Sequence, residues 1–193
     1  VLTAAACATP GPGQASRSGT YAGVELETPK PKPDFVLTDT AGERYDFGAE
    51  TEGKLTLLYF GYTHCPDICP VHLAQLADVL DRDRALARET VVVFVSVDPK
   101  RDTPAVLRDF LDKFDPEFVG LTGTSEELET AQQAAGVAVA QILDDSDDYL
   151  VGHAGQVIAY APDGWNYTIY PFGTRQSDYT HDLPLLVKRT NGT

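Results

Sequence analysis

The chain has 193 residues, 42% hydrophobic and 23% charged, which suits one good core and is short for two domains. Asp and Glu number 29 against 15 Lys and Arg, a net charge of -14, and no basic stripe offsets it; that excludes nucleic acid as a partner. No run of about twenty apolar residues is present, so the sequence holds no membrane-spanning helix.

The sequence contains no methionine and starts at Val1, so the expectation is that a piece has been removed upstream. "VLTAAAC" reads as the tail of a secretory signal. Small residues running into Cys7 also match a bacterial lipoprotein signal with a lipid on Cys7, although Ala4 stands where that signal usually has Leu. The alternative is a stray thiol in a tail. Residues 8 to 33 are rich in Gly, Pro, Ala, Ser and Thr and end in "TPKPKPDF", the composition of an extended spacer. The expected division is a disordered tail and linker over 1–33, then one folded domain over 34–193.

"DFVLTDTAGERYDF" predicts two short strands turning at Ala41-Gly42. "KLTLLYFGY" is a continuous apolar run, as in a buried central strand. "DICPVHLAQLADVLDRDRALARE" places Leu73, Leu76, Ala77 and Leu80 at helical spacing. "TVVVFVSVD" is a second buried strand. Thr103 and Pro104 then open a helix, and "EFVGLTG" is a short strand. Ser125 is read as the N-cap of a helix that stops at Gly136. "VAVAQIL", "GQVIAYAPDG" and "WNYTIYPFG" read as strands, with a turn at Pro162-Asp163-Gly164. The tail is helical, broken or restarted at Pro184. Strand and helix alternation predicts an α/β layer with parallel central strands.

Of three cysteines, Cys65 and Cys69 form a pair in "YFGYTHCPDICPVHLAQL". The strand–cysteine–helix order puts them at the carboxyl end of a central strand, where sites of α/β proteins lie. Pro66 at a first helical position would leave Cys65 near the N-cap, where the helix dipole lowers a thiol pKa. A helical i, i+4 pair has Cβ atoms roughly 5–6 Å apart, whereas a disulfide wants about 3.5–4.5 Å. Two sulfurs about 2.3 Å from one metal tolerate the wider gap. The spacing leans toward a metal and leaves a strained disulfide open; two inert buried cysteines are the bland alternative.

Two thiolates and one imidazole suit Cu(I) or Zn(II), and an open three-ligand site favours Cu(I). Four histidines compete for the third place. His72 shares a helical face with both cysteines, though one turn deeper in the helix it reads better as a satisfied, partly buried histidine. His64 points elsewhere from an extended residue, and His181 lies in a polar stretch. His153 sits between an acidic loop and an apolar strand.

Together "YFGYTHCPDICP", "SVDPKRDTP" and "DYLVGHAGQVIAYAPDG" resemble the Sco/SenC family of copper proteins over roughly residues 34 to 190. The resemblance implies a thioredoxin-like fold: a central mixed sheet flanked by helices, with an inserted β-hairpin. It implies copper, as Cu(I) or Cu(II), on Cys65, Cys69 and His153, which displaces His72. The family has Asp before this histidine and Ser or Thr after it; here Gly152 and Ala154 flank it. Thioredoxins carry a cis-proline at this loop, and "VGHAG" has none, which weighs against a general oxidoreductase. Asp98 matches a family motif, either orienting the site and helping copper transfer or capping a turn.

The implied function is a copper metallochaperone that loads the CuA site of cytochrome c oxidase. Its partners would be the oxidase's copper-binding subunit and an upstream copper chaperone. Its implied location is the outer face of a bacterial membrane, held by the N-terminal anchor. The rival is an enzyme, a thiol-disulfide reductase in which Cys65 and Cys69 are catalytic and keep the oxidase cysteines reduced. A peroxiredoxin-like peroxidase fits less well, because only Thr63 precedes the pair at useful range. "DDSDD", residues 144 to 148, reads as a solvated acidic loop or as a lure for copper ions or a cationic partner. Asn166-Tyr167-Thr168 matches a glycosylation acceptor and is assigned no role.

Overall fold

The computed structural model describes residues 19–144, 146 and 148–190. Cys7, the spacer up to residue 18, Asp145 and Asp147 lie outside the described residues. Chain order begins with strands β1 (Val24–Pro31), β2 (Val36–Asp39) and β3 (Arg44–Asp46), the short helix α1 (Phe47–Glu50) and strand β4 (Leu55–Gly61). Helices α2 (Ile68–Arg82) and α3 (Arg84–Arg88) lead to β5 (Thr90–Ser96), α4 (Pro104–Leu111), β6 (Val119–Thr122) and α5 (Ser125–Ala134). The chain closes with β7 (Gln141–Ile142), β8 (Val151–Gly152), β9 (Val157–Tyr160), β10 (Trp165–Tyr170) and α6 (Gln176–Leu186).

Eight strands form one mixed sheet in the order β1-β10-β9-β4-β5-β6-β2-β3. The expected parallel centre is β4-β5-β6. The rest pair antiparallel. All seven residues of β4 are buried. Leu55, Leu57 and Tyr59 enter one core with Leu73, Leu76, Leu107 and Leu183. Leu58 and Phe60 enter the other with Phe47, Val93, Leu121 and Leu128. Two cores, one per face, explain why this strand is apolar without alternation.

The spacer reading needs correction. Val24–Pro31 is an edge strand paired with β10. The Asp182 carboxylate accepts from the backbone N–H groups of Ala22 and Gly23 at 2.8 and 2.9 Å, and Tyr21 is buried. The folded unit therefore begins well before Phe35. The strand hid because most of its residues face solvent and its Pro and Lys residues are what edge strands carry to block further pairing.

Three smaller differences follow. The α5 cap is Thr124, whose hydroxyl accepts from Glu127 N while Glu127 reaches back to Thr124 N, so Ser125 is the first helical residue. The stretch read as the strand "VAVAQIL" keeps only Gln141–Ile142, paired with β8 as the inserted hairpin. Helix α6 runs through Pro184 without a break.

Candidate metal centre

Strand β4 ends at Gly61, and the chain must then turn sharply to start α2. A Cβ on Gly61 would lie 2.7 Å from Cys69 Sγ and 2.8 Å from the Phe94 ring, so only glycine lets the first turn of α2 pack this close. The connecting loop is tied down by Asp102, which is fully buried. Its oxygens accept from Thr63 N at 3.0 Å, the Thr63 hydroxyl at 2.6 Å and the Ser96 hydroxyl at 2.7 Å.

Helix α2 starts later than expected. Its N-cap is Asp67, with no side-chain cap, and Cys65 sits in the turn before it, donating from its N–H to Tyr62 O at 3.2 Å. The electrostatic expectation survives the shift. Cys69 donates to the Cys65 sulfur, and so do His153 and the backbone N–H groups of Asp67 and Cys69; against burial, they hold the Cys65 thiol down at about 3. Cys69 moves the other way, because burial and its bond to Cys65 push its thiol well above the ordinary range. Cys65 is therefore a thiolate beside a buried Cys69 thiol, and both are free of disulfide.

His153 follows β8 and closes the group. Ligand atoms of Cys65, Cys69 and His153 all lie within 4.8 Å of one another. His153 Nε2 is 3.7 Å from Cys69 Sγ, and Nδ1 is 3.2 Å from the carbonyl of Ala154. The Ala154 carbonyl can accept a proton carried on Nδ1, the tautomer in which Nε2 is free to bind a metal in place of donating to Cys65. Two soft sulfurs and one imidazole at this separation fit Cu(I), and among the described residues no further His, Cys, Asp or Glu joins the group.

The other histidines are elsewhere. His72 is buried with Nδ1 2.8 Å from the Tyr179 hydroxyl. His64 is exposed with Nδ1 4.0 Å from Asp102, and His181 Nδ1 lies 2.6 Å from its neighbour Asp182. Thr63 gives its hydroxyl to Asp102 and Arg101 is paired with Asp98, so neither serves a peroxidase cysteine.

Asp98 touches none of the three clustered side chains. It is buried, accepts from the Tyr149 hydroxyl at 2.7 Å and pairs with Arg101, whose guanidinium lies 3.6 Å from the Tyr149 ring centroid. Its carbonyl also accepts from Arg101 N and Asp102 N, the turn role. Tyr149 leads into β8, so Asp98 fastens the arm that carries His153. Tyr62 fastens it from the cysteine side: its hydroxyl accepts from Val151 N at 3.3 Å, and its ring meets the His153 ring edge-on at 5.6 Å.

Sequence reasoning missed Tyr59, Tyr62, Asp102 and Tyr149. One signal was present: a hydroxyl in the apolar run of β4 must find a buried partner. It is Cys69 Sγ, 3.4 Å from Tyr59 Oη, and burial raises the Tyr59 pKa so that the hydroxyl stays a donor. In the acidic loop Asp144, Ser146 and Asp148 are exposed. Asn166 is buried, its amide donating to Ala159 O and Thr168 O, so it offers no glycosylation surface.

This is a thioredoxin-like sheet with a Cys–Cys–His cluster at the carboxyl end of its central strand. The SCO1/SenC family model matches residues 24–188, and the chain belongs to that family. An SCO2-like protein of Rickettsia felis is 38% identical over 63% of this chain and 60% of its own length. The mitochondrial SCO1 homologue of Homo sapiens is 36% identical over 67% of this chain and 44% of its own. The chain thus spans about three-fifths or less of these relatives. Among solved structures, copper-bound ScoI of Bradyrhizobium japonicum aligns with a TM-score of 0.73 at 31% identity, covering 82% of this chain and all of that one. Copper-bound ScoI of Arabidopsis thaliana aligns at 0.71 and 33%, covering 78% and 94%.

Proposed function

We propose that this protein binds copper through Cys65 Sγ, Cys69 Sγ and His153 Nε2 and delivers it to the copper-binding subunit of cytochrome c oxidase. The observation that carries the binding is the convergence of those atoms within 4.8 Å, with Nδ1 of the imidazole facing the Ala154 carbonyl. The delivery is supported by kinship with copper-bound Sco proteins. The acceptor is the CuA site, the donor an upstream copper chaperone, and the domain works outside the cytoplasm, tethered through a lipid on Cys7. Titration with copper tests the binding. The wild type takes up one ion per chain, and Cys65→Ala, Cys69→Ala and His153→Ala each lose tight binding; a His153→Ala variant that binds as tightly as wild type would remove the imidazole from the site.

One observation favours the reductase reading as a second use of the same sulfurs. A low-pKa thiolate next to a buried, raised thiol is the asymmetry of a thiol-disulfide exchanger. Reduction needs the cysteines and not the imidazole. Exchange activity that survives His153→Ala, with no copper transfer from wild type, would make it the primary function.

A further inference from the structure

We propose that Tyr59 is a positioning residue of the copper site: its hydroxyl donates to the Cys69 sulfur and biases the site toward Cu(I). The inference rests on copper being held by Cys65, Cys69 and His153.

Packing accounts for the ring of Tyr59 and not for its hydroxyl. The ring is fully buried and meets His72, Phe94 and His153 edge-on at 5.3, 5.8 and 6.2 Å. Phenylalanine would make every one of those contacts. Among the described residues the hydroxyl gains only a sulfur acceptor, Cys69 Sγ at 3.4 Å. A neutral thiol is a weak acceptor, so in the metal-free protein this is a poor bargain for a buried O–H. It becomes a good one when Cys69 is a thiolate, because a hydrogen bond to a charged acceptor is roughly twice as strong as a neutral one.

That state is the one a bound metal enforces, since a coordinating thiol is deprotonated. The O–H then competes with the metal for the same electron density on sulfur. Cu(II) depends on that donation more than Cu(I), so a hydrogen bond to the ligand sulfur favours the reduced ion; bonding around a cysteine sulfur tunes copper potentials in this way. The geometry lets Tyr59 act on one sulfur from the buried side, leaving the partly exposed His153 side of the site clear for exchange.

The experiment compares wild type with Tyr59→Phe, each loaded with copper, by competition against Cu(I) and Cu(II) chelators. Both proteins take up one ion. The ratio of Cu(I) to Cu(II) affinity falls about tenfold in the variant, at the low end of what outer-shell partners do. For a one-electron couple that lowers the midpoint potential by about 59 mV. An unchanged ratio in a folded, copper-loaded Tyr59→Phe would overturn the inference. Failure of the wild type to bind, or full binding by Cys65→Ala, would instead overturn the copper site itself. Should Tyr59→Phe not fold, 3-fluorotyrosine at position 59 keeps the shape and strengthens the donor. The ratio then rises, and no change would count against the inference.

Discussion

Cys65 carries its charge at a pH where ordinary cysteines do not, and the cause is a set of donors rather than a nearby cation. Cys69, His153 and two backbone N–H groups all favour the thiolate. Because the folded-state pKa is depressed to about 3, the thiolate fraction is already complete at pH 5. Alkylation of Cys65 by iodoacetamide, read by mass spectrometry, is therefore flat between about pH 5 and 8, where a free thiol gains close to tenfold per unit. In His153→Ala one donor is lost and the onset of reactivity moves to higher pH. A rate that climbs through this range in the wild type would contradict the thiolate assignment. Gly61 works at the same scale. Gly61→Ala drives a methyl into Cys69 Sγ and the Phe94 ring, both against fixed neighbours. Overpacking of this kind costs about 1–3 kcal/mol, measurable as a lower urea midpoint. Copper uptake falls as well, because the displaced atom is a ligand sulfur.

At the scale of elements, the site joins two separate pieces of chain, and the joint is built from tyrosines. The loop before α2 brings the cysteines, the arm before β9 brings His153, and Tyr62 and Tyr149 fasten them together. Tyr149→Phe removes the donor to Asp98 while keeping the ring on Arg101. The arm then samples more positions, so copper affinity drops about tenfold and the Val151 amide exchanges faster with deuterium. Unchanged affinity would mean that Tyr62 alone holds the arm.

The cysteine half of this joint was legible, since Pro66, a buried strand before and helical spacing after all act locally. His153 was not: its place depends on contacts across 84 residues, and local periodicity carries no trace of them. Only the family resemblance pointed to it. The start of α2 was misplaced for a related reason. Pro66 fits a first helical position, but the bonds from Thr63 to Asp102 and from Cys65 N to Tyr62 O hold the chain in a turn that delays the helix by two residues. Asp98 and Asp102 show the same limit, because one acidic motif yields two carboxylates whose partners lie in different loops.

For the whole molecule the decisive question is where the folded unit begins. Composition puts the boundary at residue 34; the sheet starts at Val24, and buried Tyr21 already belongs to the folded unit. Removing residues 1–33 strips β1 from β10 and leaves the edge of the sheet open to other chains. It also takes two backbone donors from the fully buried Asp182, whose remaining partners are the Tyr170 hydroxyl and His181. Hydrogen bonds to a charged group contribute about 1.5–3 kcal/mol each, so their loss alone costs about 3 kcal/mol or more. That is a large share of the roughly 5–15 kcal/mol that holds a domain together. A chain starting at residue 34 therefore unfolds at markedly lower urea than one starting at residue 19, and it self-associates in sedimentation. The effect on copper is smaller, because β1 lies three strands from β4 and touches none of the site. Equal stability of the two chains would restore the tail-and-linker reading of residues 24–31. A stability loss with copper affinity retained would show that this strand serves the fold and leaves the site to β4, α2 and the arm before β9.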